Sequence, residues 1–285
     1  MHGDKTNQMM NISEAERLVE SAWERVKSSF RENNPSERVH SWEQSSEASL
    51  QGLEEYFWGS SWRFAMLLSN VSRYLEPGAK VLDAGAGHGV LAAAFKDAGY
   101  EAYASDIHQG IRLFEVEEIP YKPWHLEGEA APYDDNFFDA VILSQTIEHF
   151  TYSPLHPLTE LLRILKPGGI LIVDAPNIAC FHNVSRLLRG KSLHWQLKKH
   201  YLEQQPEMYN GIPYYDRHNH EYSMEDMRDI ADFFGLDVLE AKYYSSYNRK
   251  KRGSLAIAVS RVRDALPKWR KAICAIYRKP STPNT

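Results

Sequence analysis

The chain predicts an α/β fold: a seven-stranded, mainly parallel sheet with helices on both faces, an N-terminal helical extension and an inserted lid. Three observations carry this expectation. Short apolar runs alternate with helical stretches between Lys80 and Asp174. The first run ends in a glycine-rich turn, Asp83-Ala84-Gly85-Ala86-Gly87-His88-Gly89. The second ends in an acid, Asp106. Parallel strands need crossover connections, so this alternation reads as βαβ units.

The elements follow in order. Residues 1–10 read as disordered. Ser13-Glu14-Ala15-Glu16 has capping-box spacing and predicts a helix to about Phe30, with Leu18, Ala22, Val26 and Phe30 along one stripe. Pro35 closes that region, and a second helix is expected over 62–75. Strands are expected at 80–84, 101–105, 123–127, 140–144 and 170–174, with helices at 90–98 and 158–165 between them. Lys166-Pro167-Gly168-Gly169 reads as the turn into the fifth strand. Residues 177–222, rich in His, Tyr, Asn and Pro and basic over 186–199, break the rhythm and read as a substrate-side insertion. A helix over 223–234 has Ser223 as its cap, acids in its first turn and Gly235 after it. Two last strands are expected at 236–244 and 254–260. The domain reading is an N-terminal helical extension or lid (1–75), a core (76–176), the insertion (177–222), the rest of the core (223–262) and a basic tail (263–285).

Composition excludes little. With 43% hydrophobic and 25% charged residues the chain is globular, and a net charge of -5 gives no global signal for nucleic acid or membrane. Cys180 and Cys274 read as reduced thiols. The N-terminus lacks an apolar signal core and no apolar run can span a bilayer, so the cytoplasm is the expected location.

The glycine turn carries the chemistry. Gly85, Gly87 and Gly89 let the backbone turn tightly and approach a ligand, and the helix behind them offers N–H groups. Asp106 can accept both hydroxyls of a ribose. A dinucleotide oxidoreductase using NAD(P) would share these features. Its third glycine would fall at Val90, however, and Asp83 would repel a pyrophosphate while attracting an ammonium group.

The stretch Val81-Leu82-Asp83-Ala84-Gly85-Ala86-Gly87-His88-Gly89 resembles the first motif of class I S-adenosylmethionine-dependent methyltransferases, whose fold is Rossmann-like. Ser105-Asp106-Ile107 resembles their acidic second motif. Residues 127–139, Ile147-Glu148-His149 and residues 165–169 resemble their later motifs in the same order. The resemblance implies that S-adenosylmethionine is the cofactor. It places the methionine end on Asp83, Gly85, Ala86, Gly87 and Gly89, the ribose on Asp106 and the adenine on Ile107, Glu127 and Gly128. Glu129 competes with Glu127, and Gln145 opens towards the cofactor from the fourth strand. A noncatalytic scaffold of the same fold would lack such motifs.

The acceptor is less legible. The insertion resembles that of methyltransferases from bacterial surface-polysaccharide and lipid-linked sugar gene groups, through Pro176-Asn177, residues 186–191 and residues 218–226. That implies a small-molecule, glycan or lipid-linked acceptor, with a hydroxyl oxygen as the methylated atom. His149 and His218 are the expected bases, ahead of His220 and Tyr222. No metal site is expected, because His218 and His220 lack a third ligand nearby in sequence. Nucleic acid is not expected as a partner. Residues 242–279 carry 12 Lys and Arg against one acid, with Trp269, Ile273, Ile276 and Tyr277 at helical spacing. This reads as a basic amphipathic helix able to touch the inner membrane surface.

Overall fold

A computed structural model of the chain describes residues 9–32, 46–108, 112–193, 197–215, 217–245, 258, 260–261 and 264–281. Seven strands form one sheet in the order β3-β2-β1-β4-β5-β9-β8. They are β1 (Lys80–Ala84), β2 (Glu101–Asp106), β3 (Tyr121–Pro123), β4 (Phe138–Ser144), β5 (Leu165–Pro176), β8 (Asp237–Tyr244) and β9 (Ala272–Arg278). β2 pairs in parallel with β1 and β3, whereas β9 runs antiparallel to both β5 and β8. The mainly parallel Rossmann-like sheet expected from the sequence is present. By contact density the chain divides into a first unit, residues 1–123 with 138–140 and 246–251, and a second holding the remainder.

In the first unit, α1 (Ile12–Glu32) and α2 (Ser46–Val71) pack with each other and with α3 (Val90–Asp97), and the short α4 (Arg112–Val116) follows β2. The cap of α1 is Asn11, whose Oδ1 accepts from the Glu14 N–H at 3.0 Å, rather than Ser13. Its buried stripe is Ala15, Val19, Ala22, Trp23 and Val26; Leu18 is only half-buried and the Phe30 side chain lies outside the described set. Trp23 stacks on Phe57 of α2 at 4.5 Å. Arg25 reaches Asp97 and Glu117 at 2.8 and 2.9 Å. The second helix begins at Ser46, well before the expected 62. Residue 10 is ordered rather than loose: the Met10 N–H donates to Ser72 Oγ, and the Ser69 hydroxyl donates to the Met10 carbonyl. Pro35 lies outside the described residues.

In the second unit, α5 (Leu155–Ile164) precedes β5, and α7 (Met224–Phe234) precedes β8. Ser223 and Asp226 form a full capping box on α7, and Gly235 ends it at φ 63°. Between β5 and α7 come α6 (Phe181–Leu188), a π-helical turn Lys198–Glu203, and the hairpin β6 (Glu207–Tyr209) with β7 (Ile212–Tyr214).

Three expectations are corrected. The third strand is not 123–127: β3 stops at Pro123, and residues 124–129 turn, because the Gly128 and Glu129 N–H groups both donate to the His125 carbonyl. Residues 166–169 are part of β5 instead of a turn, since the Gly168 N–H donates to the Lys279 carbonyl and the Lys279 N–H to the Gly169 carbonyl. The seventh strand is not 254–260, most of which lies outside the described residues, but β9. Residues 272–278 of the basic tail are therefore a strand and not part of the amphipathic helix expected there. Ile273, Ile276 and Tyr277, which the helical reading assigned to one apolar face, are fully buried in β9. Six consecutive residues, Ala272-Ile273-Cys274-Ala275-Ile276-Tyr277, are buried, as a strand covered on both faces requires. Cys274 is buried and Cys180 half-buried, and both are free thiols. Among the described residues, no helix is long and apolar enough to cross a membrane.

Candidate functional site

The first unit builds the glycine turn at the carboxyl end of β1, the edge where open α/β sheets bind ligands. Gly85, Gly87 and Gly89 have φ of 80°, 51° and 80°, a conformation that side-chain-bearing residues avoid. The turn's own N–H groups are committed to neighbouring acceptors. Those of Gly85 and Ala86 donate to the Ser105 carbonyl, that of Gly87 to Asp106 Oδ2 at 2.8 Å, and that of Gly89 to the Ala86 carbonyl. What the turn offers a ligand is space and negative charge. A Cβ added at Gly87 meets nothing within 4 Å, whereas one at Gly89 would stand 2.6 Å from the Phe114 ring and 2.8 Å from Leu113.

Two carboxylates flank this space. Asp106 is 7% exposed and also accepts from the His108 N–H at 3.2 Å. Ile107, half-buried, follows it directly. Asp83 is 3% exposed. Burial, and next the charge of Asp106, push its carboxyl up to about 7; a hydrogen bond from the Ala92 backbone and the Arg63 guanidinium pull the other way. Asp83 thereby caps α3, whose own N-cap residue, Gly89, has no side chain to do so. Arg63, buried on α2, donates to the Tyr56 hydroxyl at 2.9 Å. No spacing in the sequence ties Arg63 to Asp83.

The second unit holds the other expected residues. Glu127 accepts from the Thr151 and Tyr152 N–H groups at 2.9 and 2.7 Å, clamping the loop after β4. Glu129 accepts from the His125 N–H and from Asn210, both at 3.0 Å. Gly128 lies under the hairpin, where a Cβ would stand 2.3 Å from Ile212. Both acids expected at the adenine thus have partners within their own unit. Gln145 closes β4 with φ 51°, its N–H donating to the Asp174 carbonyl at 2.7 Å. A residue with a side chain persists in that conformation only where its surroundings over-determine it. Here Asp174 does so: fully buried, it also accepts from Ser144, from the Gln145 side chain and from the Tyr244 hydroxyl.

His149 closes a 3-10 turn, Ile147–His149, just past β4. His218 comes from the insertion, and the two rings meet edge to face at 5.0 Å. Glu148, the neighbour of His149 in the chain, is fully buried. Ligand atoms of Glu148, His149 and His218 all lie within 4.8 Å of one another. The contact is pinned through the backbone: the Asn219 N–H donates to the Glu148 carbonyl at 2.8 Å, and Asn219 Nδ2 to the His149 carbonyl at 2.9 Å. His220 instead packs edge-on against Tyr222.

A family model described as a methyltransferase domain matches residues 60–241, more than half of the chain. The chain belongs to this methyltransferase family. It is 32% identical over 120 residues to the demethylmenaquinone methyltransferase of Clavibacter sepedonicus, covering 39% of this chain and 46% of that protein. It is 33% identical over 113 residues to the ubiquinone biosynthesis O-methyltransferase of Xanthomonas campestris pv. campestris, covering 37% and 46%. The chain thus spans less than half the length of these curated relatives. In fold it is similar to a SAM-dependent methyltransferase from Archaeoglobus fulgidus, with a TM-score of 0.53 at 17% identity, over 80% of this chain and 99% of that one.

This methyltransferase uses S-adenosylmethionine, and the oxidoreductase reading falls away. The residues present fit that cofactor. Open space over Gly87 and two buried carboxylates suit a ligand that is cationic at one end and carries a ribose diol, and they would oppose a pyrophosphate.

Proposed function

We propose that the methyltransferase acts on a hydroxyl oxygen of a small-molecule, sugar or lipid-linked acceptor, with an imidazole as the base. The observation that carries this reading is the pairing of His149 with His218 beside the buried carboxylate of Glu148. Bound S-adenosylmethionine supplies an electrophilic methyl group on a positively charged sulfur. A hydroxyl must shed its proton as its oxygen gains the methyl, and His149 or His218 receives it. Histidine is the side chain whose ordinary titration range suits that exchange near neutrality. Of the relatives named above, the one from Xanthomonas campestris is by its name an O-methyltransferase of ubiquinone biosynthesis, which adds phenolic hydroxyls to the candidates; the name of the demethylmenaquinone relative specifies no oxygen. The test is transfer of a labelled methyl group into a panel of phenolic, sugar and lipid-linked hydroxyl compounds. His149→Ala and His218→Ala should slow turnover by about 10²–10⁴-fold with cofactor affinity retained. Two variants within a few-fold of the parent would exclude an imidazole base.

For the cofactor, we assign the ribose to Asp106, the adenine face to Ile107 and the cationic amino-acid end to Asp83 over the Gly85–Gly89 turn. Asp106→Ala should weaken S-adenosylmethionine binding by about 1.5–3 kcal/mol, the cost of losing a charged hydrogen-bond acceptor. Calorimetry on the folded variant checks it, and unchanged affinity would remove the assignment.

Asp83 adds a pH dependence. Its folded value of about 7 exceeds the ordinary 3.8, so its contribution to stability is present below about pH 4 and is lost as pH rises through 7. A bound ammonium group favours the ionised form, so binding expels a proton below pH 7. Affinity should therefore climb as pH rises to about 7 and level off above it, and Asp83→Asn should flatten the curve. A flat profile in the parent protein would contradict the contact.

A further inference from the structure

We infer that Glu148, His149 and His218 form a binding site for a divalent transition-metal ion of the zinc class. The three supply the two-histidine, one-carboxylate set that open zinc sites use, leaving a coordination position for a fourth oxygen. Their ligand atoms already gather within 4.8 Å. Bonds of about 2.0–2.2 Å to a tetrahedral ion require ligand atoms roughly 3.5 Å apart, so short side-chain movements close the site.

Three features make this a built site. First, Glu148 is fully buried and the imidazoles are half-buried, so the donors face one another in a medium that strengthens attraction to a cation. Second, the two chain segments are locked in register. The Asn219 and His220 N–H groups both donate to the Glu148 carbonyl, Asn219 Nδ2 donates to the His149 carbonyl, and the Tyr201 hydroxyl donates to the His218 carbonyl. Third, a supporting shell is present. Glu221 Oε1 lies 3.5 Å from His218 Nδ1, and Glu221 Oε2 accepts from Asn183 Nδ2 at 2.6 Å. A held carboxylate behind an imidazole orients the ring, the usual backing of a ligating histidine. Imidazole donors favour zinc, cobalt or iron over magnesium or calcium, which prefer oxygen alone.

The ion's use in the reaction rests on the hydroxyl-acceptor reading above; its binding does not. With three protein ligands engaged, the open position suits the acceptor's hydroxyl oxygen. A cation there lowers the pKa of that hydroxyl, as it does for bound water, so that with the ion bound the proton leaves to bulk water and the two imidazoles serve as ligands in place of the base.

The experiment uses the full chain stripped with a chelator and titrated with Co2+, followed by visible absorption, and with Zn2+ by competition calorimetry, in the absence of cofactor and acceptor. The expected result is one equivalent of Co2+ giving the intense visible bands of a four- or five-coordinate ion, displaced by Zn2+, with micromolar or tighter affinity. Glu148→Gln and His218→Ala should each lose at least roughly 10–100-fold in metal affinity. S-adenosylmethionine binding and a cooperative melt serve as the folding control. Should Glu148→Gln fail that control, His218→Ala decides, because its side chain lies at the half-buried edge. Absence of Co2+ bands, millimolar affinity, or metal binding that survives His218→Ala would overturn the site. Metal binding with no hydroxyl methylation would leave the site standing and remove the acceptor reading. Loss of turnover in His149→Ala with no metal bound to the parent would do the reverse.

Discussion

A chain that ends at residue 271 should not fold. The segment it lacks contains β9, an interior strand paired along its length with β5 on one side and β8 on the other. Ile273, Cys274, Ala275, Ile276 and Tyr277 are each 0% exposed. Burial of side chains the size of Ile273, Ile276 and Tyr277 contributes about 1.5–3 kcal/mol apiece. Their loss is comparable with the whole stability of a domain, about 5–15 kcal/mol. The deletion also strips the ladder partners of β5 and β8, removes the Tyr277 hydroxyl from the Met227 carbonyl at the heart of α7, and takes Lys279 away from the Leu162 and Leu165 carbonyls at the end of α5. Circular dichroism and size-exclusion of the shortened chain should show no cooperative melt and an aggregated or expanded species. A surface anchor in the same place would leave a folded core that merely lost affinity for anionic vesicles. A sharp melt in the shortened chain would therefore contradict the strand.

The contrast between that tail and the glycine turn shows what a sequence exposes. The turn is legible because three left-handed backbone positions must fall at Gly85, Gly87 and Gly89, and only glycine takes them cheaply. The helix over Met224–Phe234 is legible for the same local reason, a side-chain cap at Ser223 and a left-handed stop at Gly235. β9 is not, because Trp269, Ile273, Ile276 and Tyr277 satisfy a helical period by accident. Only the unbroken run from Ala272 to Tyr277 signals a strand buried on both faces. Long-range partnership is hidden altogether. His149 and His218 stand out singly as titratable groups. Nothing along the chain shows that residues 148 and 149 will meet residue 218, or that Glu127 and Glu129 will be occupied by the Thr151, Tyr152 and His125 N–H groups. The cap at Asn11 escaped because Ser13 offers the same chemistry two residues later.

Alanine at Gly87 and alanine at Gly89 should fail in opposite ways, although both glycines are left-handed and sit two residues apart. At Gly89 the φ is 80°, and the new Cβ would stand 2.6 Å from Phe114 Cε1 and 2.8 Å from Leu113 Cδ2. Backbone strain of about 1–2 kcal/mol adds to an overpacking cost of about 1–3 kcal/mol. The expected result is a clear fall in Tm, with whatever cofactor binding remains limited by the folded fraction. At Gly87 the φ is 51° and the Cβ meets no protein atom within 4 Å, so the cost is the backbone strain alone, about 1–2 kcal/mol. The Gly87 N–H survives the substitution and still reaches Asp106 Oδ2, which keeps that carboxylate in place. The methyl group then projects into the space assigned to S-adenosylmethionine, which would have to move outwards to avoid it. Affinity should drop by at least about 100-fold, roughly 2.7 kcal/mol, while the melt stays cooperative. Calorimetry and thermal unfolding on both variants separate the cases. Were Gly87→Ala to bind the cofactor like the parent, the space over the turn would not be where the cofactor lies. The assignments of Asp83 and Asp106, which rest on the same side of the turn, would have to be withdrawn with it.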